Sequence, residues 1–282
     1  MRAIAGILAS LSAIALSFMP CVGLAAQAEI VPPGRVHATY NISWNGLHLG
    51  EFTWESNAKG GKYKLSTSAS LSALFGAYSW QGVTRATGTY SGSSILPAAY
   101  AFKYKGSDKS GQIDMRFKRG SVTAIESLPV DKGSLGRIPI LPEHKKGVLD
   151  PLSAVMALSA PIKGRVDAAD PCKRTLAIFD GKQRFDLILS YARRERFDGG
   201  LVGSKSVFVC RVKYRPIAGH KMNTETRYMI ENDGIEIWLA PVPAANVYVP
   251  YNIVIPTWAG SAQITTTKIQ IELAGRTVAL SR

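Results

Sequence analysis

Histidine is the first side chain to follow for chemistry, because imidazole titrates near neutral pH and is the commonest metal ligand. The chain has four, His37, His48, His144 and His220, each standing alone. None belongs to an H-x-H or H-x-x-x-H pair, and no carboxylate lies at ligand spacing beside two of them, so no metal site is expected. Nucleophile signatures are equally thin: there is no G-x-S-x-G elbow and no Walker A loop. Ser56-Asn57-Ala58-Lys59 has the S-x-x-K spelling. That spacing brings lysine to serine on a helix, whereas here it falls where a strand runs into a turn. Glu231 and Asp233 flank an expected hairpin turn and read as solvent-facing. No catalytic residue and no cofactor is expected. The alternative, an enzyme acting on envelope glycans or lipids, stays open because catalytic groups converge in space and not in sequence.

Positive charge is more informative. Lys and Arg number 34 against 20 Asp and Glu, a net charge of +14. Three stretches concentrate it: Arg116, Lys118 and Arg119; His144 with Lys145 and Lys146; and Arg193, Arg194 and Arg196. These cations are candidate anion-binding residues, suited to lipid headgroups, lipopolysaccharide phosphates or acidic glycans. The alternative is a basic surface that keeps the protein soluble near anionic membranes.

The N-terminus sets the compartment. Arg2 precedes an uncharged run from Ala3 to Ala26, and Ala26-Gln27-Ala28 matches the A-x-A cleavage pattern. The reading is a cleavable signal peptide over residues 1–28, with the mature chain starting at Glu29 in the periplasm. An uncleaved anchor is the alternative, weakened by Pro20 and Gly23. Phe18-Met19-Pro20 before Cys21 does not spell a lipobox. Cleavage removes Arg2 and leaves 254 of the 282 residues, with a net charge of +13. Export sets nucleic acid aside as a partner. It also turns the two remaining cysteines, Cys172 and Cys210, into an expected structural disulfide, with two separate buried thiols as the alternative.

The elements that must position these groups are mostly strands. Val36, Ala38, Tyr40, Ile42 and Trp44 alternate with polar residues and run into Asn45-Gly46, a strong hairpin signal. The return strand from Leu47 changes phase near Gly50, which predicts a bulge. Tyr63 to Leu71, Tyr100 to Tyr104, and Ile113, Met115 and Phe117 continue the alternation. Ser127 to Val148 has no periodicity and reads as a long connection. Asp150 then caps the one expected helix, with Pro151 at its first position, Leu152, Val155, Met156 and Ser159 on one face, and Pro161 as its stop. Strands resume at Thr175–Phe179 and Gln183–Tyr191 about Asp180-Gly181, and at Phe208–Tyr214. Arg227–Glu231 is expected to pair with Ile235–Leu239 across Asp233-Gly234, and Ile269, Ile271 and Leu273 mark the last strand. The expected fold is mainly β: a large curved antiparallel sheet, or open barrel-like sheets, with one short central helix. A single domain over 29–282 would hold two strand-rich halves, about 29–126 and 172–282, joined by 127–171. One sheet or two is left open. Trp44, Trp54, Trp80, Tyr40, Tyr63 and Tyr78 lie in strands of the first half. They are either core or the lining of an apolar cavity.

Four segments together carry a family resemblance. They are Tyr40–Gly50, Asp150-Pro151-Leu152-Ser153-Ala154-Val155, Phe179-Asp180-Gly181-Lys182-Gln183-Arg184-Phe185, and Cys210–Gly219. The chain resembles the bacterial family called domain of unknown function 3108. The resemblance implies an exported, mostly antiparallel β fold and lends no catalytic residue. The functional expectation is a non-enzymatic cell-envelope protein binding an amphipathic or anionic, lipid-like component on its curved sheet. The alternatives are the envelope enzyme above and an assembly partner of other envelope proteins.

Overall fold

The computed structural model describes residues 34–73, 78–131, 135–160, 166, 170–196, 206–273 and 276–281. The expected signal segment 1–28 lies outside the described residues. Alternating side chains generate a ladder of strands, β1 (Arg35–Trp44), β2 (Leu47–Lys59), β3 (Lys62–Ala73), β4 (Tyr78–Ser91), β5 (Ser94–Gly106), β6 (Ser110–Lys118) and β7 (Ser121–Leu128). A second ladder comprises β8 (Arg174–Phe179), β9 (Arg184–Arg196), β10 (Ser206–Ala218), β11 (Glu236–Val242), β12 (Val247–Thr257), β13 (Gly260–Leu273) and β14 (Arg276–Ser281).

Each ladder is an antiparallel meander, and β1 pairs with β13. The two halves are therefore one sheet, ordered β7-β6-β5-β4-β3-β2-β1-β13-β12-β11-β10-β9-β8, with β14 on β13. The expected bulge is present: the β1–β2 register shifts between Ile42 and Ser43, opposite Gly50 and His48. Further shifts interrupt β4–β5, β6–β7, β9–β10 and β11–β12. Bulges bend and twist a strand, so a sheet this wide curls on itself. It does not close into a barrel. Its edges, β7 and β8, are bridged by the connection between them: the Val148 amide donates to the Gly120 carbonyl (3.3 Å), and the Leu149 amide to the Ala177 carbonyl (2.8 Å).

The registers define two ends. At one lie the β2–β3, β4–β5, β6–β7 and β11–β12 turns; at the other lie the β1–β2, β5–β6, β8–β9 and β12–β13 turns. Helix α1 (Pro151–Ser159) lies across the first end and touches β3, β4, β5, β8 and β12. Enclosed by the sheet, α1 buries Leu152, Ser153, Ala154, Met156 and Leu158, more than the single face its periodicity suggested.

Two expectations change. Arg227–Glu231 is not a strand: Thr224–Glu231 forms a second helix, α2, because the Asn223 side chain accepts from the Thr226 amide and caps its first turn. A strand also follows Leu273, namely β14. The disulfide forms as expected between Cys172 and Cys210, both fully buried, and ties the segment after α1 to β10.

Candidate functional site

Between α1 and the concave face of the sheet lies a cavity of about 440 Å³, within the usual size of ligand pockets, ~300–1,000 Å³. Its floor is the inner side of α1, with Ala154, Val155 and Leu158. Its walls come from β1 and β2 (Ala38, Tyr40, Phe52, Trp54) and from β8 to β13, including Leu176, Ile237, Val249 and Ile264. Apart from the hydroxyls of serines and tyrosines, these walls are aliphatic and aromatic. Val249 and Tyr248 are buried, while Val155 on α1 and Phe52, Leu187, Met229, Ile253, Ile255 and Ile264 further along the sheet are half-buried. The lining extends from α1 toward the end carrying the β1–β2 and β12–β13 turns. On the neighbouring concave surface Trp80, Phe102 and Tyr104 stack at centroid distances of 5.4–6.5 Å. Of the six aromatics singled out in the sequence, Tyr40 and Trp54 line the cavity, Tyr63 is core, and Tyr78 is exposed.

The floor is held by a buried polar relay. Asp150 Oδ1 accepts from the Leu152 and Ser153 amides, both at 3.0 Å, and Oδ2 accepts from the Ser153 hydroxyl at 2.5 Å. Tyr63 donates in turn to Ser153 Oγ at 2.7 Å. Burial pushes the Asp150 carboxyl up to about 6, against the opposing pull of these hydrogen bonds. Burial also raises Tyr63 and Tyr100, with the Asp150 charge adding to it. At the other end of α1, Arg174 donates to the carbonyls of Ala157 (2.6 Å), Leu158 (3.2 Å) and Ala160 (3.0 Å). An anion at the N-terminus and a cation at the C-terminus both match the helix dipole. Burial lowers the Arg174 pKa. Asp150 is therefore the helix cap that the sequence indicated.

A second polar cluster was not found in the sequence. The imidazole of His220, 1 % exposed, donates through Nε2 to the Arg184 carbonyl and accepts through Nδ1 from the Tyr214 hydroxyl, both at 3.0 Å. Burial and the Asp180 charge push Tyr214 up to about 12. Asp186 is held by Arg184 (2.5 Å) and by Arg215. Both ring nitrogens of His220 and both carboxylate oxygens of Asp186 have partners, so the cluster is a structural clasp. The sequence signal was the pair of glycines in the two segments that meet: a Cβ at Gly219 would come within 2.0 Å of the Lys182 carbonyl oxygen.

The remaining candidates separate. The β6–β7 turn and the connection bring Arg116, Lys118 and Arg119 beside Lys145 and Lys146, since Ser121 bridges to Lys146. These five cations lie at the α1 end, and none of them lines the cavity. Arg193 is engaged by Glu195 (2.6 Å) and Glu236 (2.5 Å), which raise its pKa, and Arg194 lies over the Phe208 ring at 4.2 Å. Arg196 follows them on β9 and has an interaction partner of its own. Ser56 and Lys59 sit on β2 and are not brought together by a helix. Asp233 is paired with Lys213 at 2.8 Å. No group of three His, Cys, Asp or Glu among the described residues could hold a metal. A more open cleft of about 760 Å³ follows the outer edge of β7, where charged Asp114, Glu126, Arg137 and Lys182 mix with apolar groups.

Comparison with known proteins adds the family. The family model described as "Protein of unknown function (DUF3108)" matches residues 39–267. No curated protein and no solved structure matches the chain. The chain belongs to the DUF3108 family.

Proposed function

We propose that this DUF3108 protein is an exported, non-enzymatic binding protein of the bacterial envelope that takes the apolar chain of an amphipathic, lipid-like molecule. The observation that carries the reading is the cavity of about 440 Å³ beneath α1, lined almost wholly by apolar side chains. An apolar cavity of this kind releases no hydrogen bonds when it fills and gains about 0.8 kcal/mol for each methylene it buries. If a methylene claims about the ~30 Å³ of a water molecule, the space holds on the order of a dozen of them. Export rests on the sequence of residues 1–28. None of the cations of the β6–β7 turn and the following connection lines the cavity, so chain length, not headgroup charge, is expected to govern affinity.

Val155→Trp puts an indole into the cavity from its floor. The expected result is that a fluorescent fatty acid binds the parent protein and binds the variant about tenfold or more weakly, as loss of a few methylenes requires. An unchanged unfolding midpoint would show that the variant still folds. A parent protein that neither binds the probe nor carries lipid in native mass spectrometry after periplasmic purification would sink the reading.

A further inference from the structure

The end of the sheet opposite α1 carries an apolar rim. Leu47, 68 % exposed, sits at the tip of the β1–β2 hairpin, and Trp258, 78 % exposed, at the tip of the β12–β13 turn. The two tips are locked together: the Asn45 amide donates to the Ser261 carbonyl (2.9 Å), and the Ser261 amide donates to Asn45 Oδ1 (2.8 Å). A Cβ at Gly260 would lie 2.4 Å from the side-chain Nδ2 of Asn45, so glycine there permits the close approach. Tyr78 and Leu128 are exposed at the same end. They follow from the registers, which set Tyr78 opposite Ala73 and Leu128 opposite Gln112. Exposed apolar groups gathered on one rim differ from scattered surface hydrophobes and mark an interaction surface.

We infer that this rim docks on a phospholipid bilayer, so that Trp258 and Leu47 enter the interface and the cavity opens directly onto the acyl chains. The proposal deepens the lipid-binding reading and rests on it for the purpose of docking, though docking itself is a separate event. Three observations favour a bilayer over a protein partner. Half-buried Ile253, Ile255 and Ile264 carry the apolar lining of the cavity to this end, so whatever covers the rim also faces that lining. Tryptophan at a rigid hairpin tip suits the headgroup level, where one edge of the indole is wet and the rest is apolar. The charge also fits. Exposed Lys105, Lys109, Lys221 and Arg227 at this end are roughly offset by exposed Asp108, Glu225 and Glu231. The tips therefore meet no net repulsion, while the mature chain's net charge of +13, the total of +14 less Arg2, draws it toward an anionic leaflet.

The test uses vesicles of phosphatidylethanolamine with phosphatidylglycerol, and the full mature protein. The parent is expected to co-sediment with them, and bromine-labelled lipid should quench part of its tryptophan emission. The double variant Leu47→Ser, Trp258→Ser should partition about tenfold or more weakly, given about 1.5–3 kcal/mol for each large apolar side chain removed from the interface. Leu96→Ser, a similar loss at the α1 end, should leave partitioning unchanged. Equal effects from the two ends, or no effect from the double variant, would overturn the proposal. In vesicle-free solution the double variant should still bind the fluorescent fatty acid as the parent does. Intact probe binding with unaltered vesicle binding removes docking alone; loss of probe binding by the parent removes the lipid reading itself.

Discussion

Asp150 combines a cap and a buried charge in one side chain. Its carboxylate satisfies two amides that the first turn of α1 leaves without partners, and it is fully enclosed while doing so. Burial dominates the balance and raises its pKa to about 6. The direction of the pH effect follows. Because the folded pKa is above the unfolded ~3.9, the folded state holds the proton longer, and the associated stability is complete below about pH 4 and is lost as pH rises through about 6. Asp150→Asn keeps an acceptor for the amides and removes the titration. Urea unfolding at acidic and neutral pH should therefore show the parent losing stability relative to the variant by on the order of 2–3 kcal/mol. Parallel stability profiles would show that Asp150 does not titrate in this range. His220 illustrates the opposite outcome, a buried imidazole whose two nitrogens are both occupied and whose role is to join β9 to the end of β10.

At the scale of elements, the sheet depends on a few close backbone approaches that only glycine allows. Gly219 has φ +82° and follows β10, where it meets the turn between β8 and β9. Its amide donates to Ile138, at 2.8 Å, so the same residue also secures the connection between β7 and β8. Gly219→Ala adds a Cβ at 2.0 Å from the Lys182 carbonyl oxygen and demands a conformation that alanine disfavours. The expected cost is about 3 kcal/mol or more, read as a lowered unfolding midpoint or a failure to accumulate. A variant as stable as the parent would mean that the turn moves freely. Helix α2 is a smaller lesson of the same kind. Met229, its inward residue, joins the cavity lining, although the Asp233-Gly234 turn signal suggested a strand before it.

For the whole molecule the main question is what keeps a wide, unclosed sheet curled around α1. Paired β1 and β13 join its halves, the 146–149 segment spans its edges, and Cys172–Cys210 fastens the segment after α1 to β10. The bond closes a separation of 38 residues, worth about 4 kcal/mol in the chain-entropy model. Reduction, or Cys172→Ser with Cys210→Ser, should lower unfolding stability by about that amount in guanidinium titrations. No difference between oxidised and reduced protein would place the constraint elsewhere. Because α1 is the floor of the cavity, the reduced protein should also bind the apolar probe more weakly.

The amino-acid sequence by itself determined the local structure. Period-two alternation from Val36 to Trp44 and from Ile113 to Phe117, the Asn45-Gly46 and Asp180-Gly181 turns, and the Asp150-Pro151 helix start all act over a few residues, through backbone geometry and the pleat. The cysteine pair was legible for a different reason, since a count of two in an expected export product leaves one pairing. Only the tertiary structure decided that two meanders are one sheet. The β1–β13 pairing joins Arg35 to Glu272, and contacts so distant in the chain leave no periodic trace. Packing also decided that Tyr40 and Trp54 border empty space while Tyr63 is filled against Ser153, which alternation alone cannot distinguish. Curvature placed Arg116, Lys118, Arg119, Lys145 and Lys146 together at the α1 end and left Leu47 and Trp258 at the other. Which residues share an end depends on how far the sheet bends, and that is set by the sum of its bulges and pairings.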